Sequence, residues 1–121
     1  MRVLVVDDDY AVLDAIKDVL EDEGYEVVVA ANGLEALKEL RRGSRPCVIL
    51  LDLMMPVMNG WEFRREQLQD ENLAMIPTII VTAHNRADEN TEELRASGCI
   101  RKPAQPRLLL ETIGKYCHNN L

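Results

Sequence analysis

The sequence predicts an α/β fold, a parallel β-sheet with helices packed on both of its faces. Three observations lead there. Short β-branched runs (Val3–Val6, Glu26–Val29, Val48–Leu51 and Ile79–Val81) alternate along the chain with longer stretches of helical period. Three of these runs are apolar throughout, the pattern of strands covered on both sides. The links are short, and strand–helix alternation on short links favours parallel pairing with right-handed crossovers.

The elements follow in order. A strand is expected over 2–6 and a helix over 10–23, where Val12, Leu13, Ile16, Val19 and Leu20 recur at helical spacing. Gly24 stands where a helix stops. A strand over 26–29 leads to Asn32-Gly33, a pair that suits a hairpin. The period of Leu34, Leu37 and Leu40 is helical, so the pair is read as a strand-to-helix turn into a helix over 34–42. Gly43 ends that helix, and a strand over 47–51 and a helix over 59–69 come next. Pro77 opens a strand over 77–81, where a missing N–H is tolerated. A helix over 86–97 is stopped by Gly98, a short strand covers 99–101, and Leu109, Leu110, Ile113 and Tyr116 mark a last helix over 106–117.

With 121 residues, 47% of them apolar and 29% charged, the chain fits one ordinary globular domain whose core needs no cross-links. Its longest apolar runs, such as Val27–Ala31 and Cys47–Leu51, are five residues. A membrane-spanning helix needs roughly 18 or more. The start, MRVLVVDDD, lacks the pattern of a signal peptide, so a cytoplasmic location is the expectation. A formal net charge of −7 disfavours binding to a phosphate backbone. The basic run Lys38, Arg41, Arg42 and Arg45 reads as a solvated helix face and its exit loop. Three cysteines, Cys47, Cys99 and Cys117, without a Cys-x-x-Cys spacing suggest neither a disulfide framework nor a zinc site.

In an open parallel sheet, ligands bind beyond the carboxyl ends of the strands. The first strand ends there in Asp7, Asp8 and Asp9, the third in Asp52, the fourth in Thr82 and the fifth in Lys102, followed by Pro103. Each residue alone has an ordinary explanation. Asp9 suits a helix N-cap, Asp52 a turn, Thr82 a strand end and Lys102 the surface. Together they place carboxylates, a hydroxyl and an ammonium on one rim. Crowded carboxylates repel and favour a cation, and oxygen ligands suit a hard ion such as Mg²⁺.

The set VVDDD at 5–9, LLDLMMPVMNG at 50–60, Thr82-Ala83 and Lys102-Pro103 closely resembles the receiver domain of two-component response regulators, chemotaxis regulators included. The resemblance implies a flavodoxin-like, doubly wound five-stranded sheet of order 2-1-3-4-5. It implies Asp52 as phosphoacceptor, with Asp7, Asp8, Asp52 and the backbone carbonyl of Met54 as Mg²⁺ ligands. Lys102 and Thr82 would contact the phosphoryl group, a Lys102–Pro103 cis bond is expected, and Pro56, Asn59 and Gly60 would shape the loop into the third helix. The implied unit is residues 1–117, with a short tail over 118–121 and no output domain within the sequence. A sensor histidine kinase or histidine phosphotransfer protein is the implied donor. A downstream protein or a fused output domain is the implied recipient. No direct nucleic-acid or membrane contact is implied, and the state is a monomer or a phosphorylation-linked dimer. The signal would change the surface near 86–97 and 99–101. One departure stands out: Cys99 occupies the place where the family commonly carries an aromatic switch residue, and GCIRKP is short. Backbone shifts over Ala83–Ala87, or the side chains of His84 or Tyr116, are then the candidate switch.

Other functions fit less well. A haloacid-dehalogenase-type phosphohydrolase would use Asp7 and Asp9, but Ala11 stands where its motif needs Thr or Val, and no cap domain fits this length. A flavin carrier would need neutral donors in the first loop, where three aspartates repel phosphate. A receiver-like scaffold that is never phosphorylated remains the main alternative, although all the acceptor-site residues are present.

Overall fold

The computed structural model describes residues 1–83, 92 and 94–117. Its elements run β1 (Arg2–Val6), α1 (Tyr10–Asp22), β2 (Glu26–Ala30), α2 (Gly33–Arg41), β3 (Val48–Leu51), α3 (Gly60–Gln69), β4 (Thr78–Thr82), β5 (Gly98–Arg101) and α4 (Pro106–Gly114). The five strands form one sheet in the order β2-β1-β3-β4-β5, every pair parallel. This is the doubly wound arrangement expected from the alternation. The helix expected over 86–97 lies largely outside the described residues.

Two apolar layers sandwich the sheet. Val3, Val5, Val48, Leu50, Ile79 and Val81 face α1 and α4, meeting Leu13, Ile16, Leu20, Leu109 and Ile113. Leu4, Val6, Ile49 and Leu51 face α2 and α3, meeting Ala36, Leu37, Leu40 and Phe63. Alternate residues of one strand therefore serve opposite layers, which is why these strands are apolar at every position. Burying a side chain of this size contributes about 1.5–3 kcal/mol.

Helix starts follow local chemistry. Asp9 caps α1 by accepting from the Ala11 amide at 3.0 Å. Asn32 accepts from the Glu35 amide at 2.9 Å, confirming Asn32-Gly33 as a strand-to-helix turn. Asn59 and Glu62 close a reciprocal capping box at the start of α3. Gly24 and Gly43 have φ of +90° and +98°, the left-handed turn that ends a helix. Gly98 does not act this way. It is the first residue of β5, and the left-handed residue before that strand is Arg95, with φ of 54°. The last helix also stops earlier than its periodicity suggests, at Gly114, and residues 115–117 form a turn.

The cysteines depart from expectation as well. Cys47 and Cys117 are disulfide-bonded, with Cα atoms 5.3 Å apart across a separation of 70 residues. Spacing rules detect only neighbours in sequence; here the end of α4 is brought to the start of β3 by the fold. Lys38, Arg41, Arg42 and Arg45 are exposed, as read. No helix among the described residues is long and apolar enough to cross a membrane.

Of the glycines, Gly60 has the least room for a side chain. A Cβ there would lie 2.5 Å from the Asp52 carbonyl oxygen and 2.7 Å from Leu53 Cα, both backbone atoms that cannot swing aside. Gly60→Ala should therefore lower stability in urea by at least about 2 kcal/mol, in the range of overpacked sites. Gly114→Ala meets nothing within 4 Å and should be neutral or stabilising by up to about 1 kcal/mol. Equal effects of the two substitutions would contradict this packing.

Candidate functional site

The site is built by strand register. Val6 pairs with Leu51 across the β1–β3 junction, so the next residues, Asp7 and Asp52, leave the sheet side by side. The backbone holds them there: Asp7 N–H donates to Ala30 O at 3.1 Å and Asp52 N–H to Val6 O at 2.9 Å. The strand order reverses at this junction, where open α/β sheets form their crevice. On the far side Thr82 pairs with Arg101, and Lys102 N–H donates to Thr82 O at 3.0 Å. Lys102 thus also stands just past a strand end. Its peptide bond to Pro103 is cis, as expected.

The side chains converge. Lys102 Nζ lies 2.6 Å from Asp7 Oδ2 and 3.6 Å from Asp52 Oδ1. One carboxylate oxygen each from Asp7, Asp8 and Asp52 lies within 4.8 Å of the others. Asp7 and Asp52 are buried, whereas Asp8 is exposed. Thr82 is buried at the end of β4. The Met54 side chain is exposed, and the amides of Met54 and Leu53 hydrogen-bond to Asp52. Asp9 faces α1 instead: its side chain caps the helix, while its own N–H donates to Asp7 Oδ1 at 2.9 Å. In the loop that follows Asp52, Val57 has φ of 69° and is 74% exposed. A β-branched residue in that region is strained, by about 1–3 kcal/mol.

The pocket is electrostatically tense. Burial, and after it the Asp7 charge, pushes the Asp52 carboxyl up to about 6 on balance. Lys102 and the Met54 and Leu53 amides pull the other way without cancelling it. For Lys102, burial disfavours the ammonium, but the Asp7 hydrogen bond and the Asp52 and Asp7 charges outweigh it, and its pKa is raised. Three carboxylates against one ammonium leave excess negative charge on an oxygen-only donor set. That set fits a hard divalent cation such as Mg²⁺.

The model for the response regulator receiver domain matches residues 3–114, nearly all of the chain. This chain belongs to the response regulator receiver family. The receiver is 38% identical over 118 residues, 94% of either chain, to the polar-differentiation response regulator DivK of Brucella anthropi. Its fold superposes on the chemotaxis response regulator CheY4 of Vibrio cholerae with a TM-score of 0.87 and 32% identity, covering 96% of this chain and 98% of that one. The response regulator TrrA of Thermotoga maritima, solved in complex with Mg²⁺ and beryllofluoride, matches with a TM-score of 0.84 and 29% identity over 96% and 98% of the two chains.

Around the pocket, the candidate switch residues separate. Cys99 is half-buried against Leu53, Ile80, Leu94, Ala96 and Trp61. Tyr116 donates its hydroxyl to Ser97 O at 3.2 Å. His84 and the segment from 84 to 87 lie outside the described residues. Sequence reasoning missed Arg64, which is 4% exposed. It donates to Leu94 O, Arg95 O, Gln67 Oε1 and Thr78 Oγ1, tying α3 to β4 and to the turn before β5. Burial, then the Arg95 charge, lowers its pKa. Only helical phase could have hinted at it: Phe63, Arg64 and Gln67 share the buried side of α3.

The raised Asp52 pKa has a stability consequence. Between pH 4 and 6 the folded state keeps a proton that the unfolded chain has released, so Asp52 makes stability fall as pH rises through this window. The full penalty, about 2–3 kcal/mol, persists above pH 6. In the presence of a chelator, Asp52→Asn should be more stable than wild type by roughly that amount at pH 7, and the difference should vanish near pH 4. Urea titrations at both values check it; a difference independent of pH would mean that the Asp52 charge is not the cause.

Proposed function

We propose that this receiver is a phosphorelay switch whose Asp52 accepts a phosphoryl group from a phosphohistidine, with Asp7, Asp8, Asp52 and the Met54 carbonyl holding Mg²⁺. The observation that carries the reading is the placement of Asp52: a buried carboxylate beside Asp7 and Asp8, with an ammonium 3.6 Å away. An Asp52 oxygen attacks phosphorus, the P–N bond to the donor imidazole breaks, and an acyl phosphate forms on Asp52. Mg²⁺, when bound, would offset charge on the phosphoryl oxygens. Lys102, whose ammonium is 3.6 Å from Asp52 Oδ1, would pair with one of these oxygens, and the Thr82 hydroxyl would donate to another. Phosphoryl transfer depends on such positioning and charge compensation more than on covalent assistance from the protein.

The donor is a sensor histidine kinase or a histidine phosphotransfer protein, and the recipient is a downstream protein or a fused output domain. An apolar groove of about 420 Å³ beside Lys102, lined by Val12, Ala15, Ile16, Val81, Pro103 and Ala104, supports this reading. It offers a partner helix an apolar seat within reach of the acceptor. This role implies a cytoplasmic chain, monomeric or dimerising on phosphorylation.

Acetyl phosphate tests the acceptor without a partner. Intact mass spectrometry should show a gain of one phosphoryl group that needs Mg²⁺ and is lost in Asp52→Asn. Lys102→Ala should slow the gain by at least tenfold while leaving the fold intact by circular dichroism. An equal mass gain in wild type and Asp52→Asn would move the acceptor elsewhere. No gain at all would favour the unphosphorylated scaffold.

A further inference from the structure

We propose that Cys47 and Cys117 are a reversible redox site, switched by exchange with small disulfides of the glutathione class, that locks the end of α4 to the start of β3. The two Cα atoms are 5.3 Å apart, inside the span a disulfide can bridge. Neither backbone depends on the sulfur bond for its position. Cys47 N–H donates to Arg2 O at 2.8 Å, which holds it on the sheet. Cys117 N–H donates to Ile113 O at 2.9 Å, and its neighbour Tyr116 is tied to Ser97 O. The reduced pair is therefore held in bonding range by the same fold, and one architecture serves both redox states.

Access is graded. Cys117 is 2% exposed and packs in the layer of Val48, Leu109 and Ile113, while Cys47 is half-buried and within reach of a small reagent. The Cys47 thiolate attacks one sulfur of the small disulfide, and one small thiolate leaves. The Cys117 thiolate then attacks Cys47 Sγ in the mixed disulfide and expels the second small thiol. Two protein S–H bonds are lost and one S–S bond forms. The small disulfide takes up the two electrons and becomes two thiols, which receive the two protons. Cys99 does not compete, because it faces the opposite side of the sheet, with Ile80 and Leu53.

The loop closed by the bond contains Asp52, Thr82 and Lys102, so oxidation restrains the half of the chain that carries the acceptor. The sulfurs sit at the amino end of β3, roughly 16 Å along the strand from Asp52. Oxidation should therefore act on stability and on α4 and leave the chemistry of the pocket alone.

The test uses the full chain in buffers of reduced or oxidised glutathione, quenched with acid, alkylated and mapped by peptide mass. In oxidised buffer a Cys47–Cys117 linked peptide should appear with Cys99 still alkylated. The melting temperature should rise by about 8–17 °C, as a cross-link over a loop of this length implies. In reduced buffer both thiols should return with the fold intact by circular dichroism. Cys47→Ser and Cys117→Ser should each lose the redox-dependent shift in melting temperature. Thiols that persist in oxidised buffer, a bond that millimolar glutathione does not open in the folded protein, or a linkage through Cys99 would each overturn the proposal.

Discussion

The pairing of β1 with β3 forces Asp7 and Asp52 together, and the rest of the molecule can be understood as what holds that repulsion in place. Two carboxylates that share a buried crevice destabilise each other. They stay because the register of Val3–Val6 against Val48–Leu51 is fixed by two apolar faces, and slipping it by one residue would turn every side chain to the wrong layer. The Lys102 ammonium, delivered from the far edge by β5, offsets part of the excess. The acidic pocket is thus a local cost imposed by a sheet whose hydrophobic burial far exceeds it.

The packing beyond the sheet follows from the same requirement. α3 begins against the backbone of Asp52 and Leu53: Gly60 N–H donates to Leu53 O at 3.0 Å, and no Cβ fits at that point. The capping box of Asn59 and Glu62 fixes the direction in which α3 leaves. Further along, Arg64 reaches under β4 to carbonyls 94 and 95. A buried guanidinium is tolerable only when its N–H groups are hydrogen-bonded, and this one ties together three segments that also meet through Trp61, Ile80 and Leu94. The backbone that follows Asp52, α3 and the turn before β5 therefore form one hydrogen-bonded path.

The fold and pocket were legible in the sequence because both are written in local patterns. An apolar run marks a strand, the polar residue that ends it marks the carboxyl rim, and parallel pairing brings all such residues to one side. Asp7, Asp52, Thr82 and Lys102 needed no more than that. The features that were not legible depend on tertiary placement. Arg64 and Arg65 are adjacent in sequence, and only packing decides which is buried. Gly98 follows a helical pattern yet enters a strand, because the left-handed turn falls on Arg95. Cys47 and Cys117 are 70 residues apart and meet because α4 folds back across the face covered by α1.

β3 places two different chemistries at its opposite ends, a carboxylate at one and a sulfur at the other. Its four residues are fully buried; all four pair with β1, and Ile49, Leu50 and Leu51 also pair with β4. Such a strand has no second low-energy arrangement, since any shift would break two ladders and both apolar layers at once. Coupling between distant sites needs an element with two accessible states, and β3 is not one. In the proposed role, a change at the Asp52 end would leave through a segment that touches it from outside, the start of α3 at Gly60. The Cys47 end is tied instead to Cys117, just past α4. The strand that carries both residues keeps them independent.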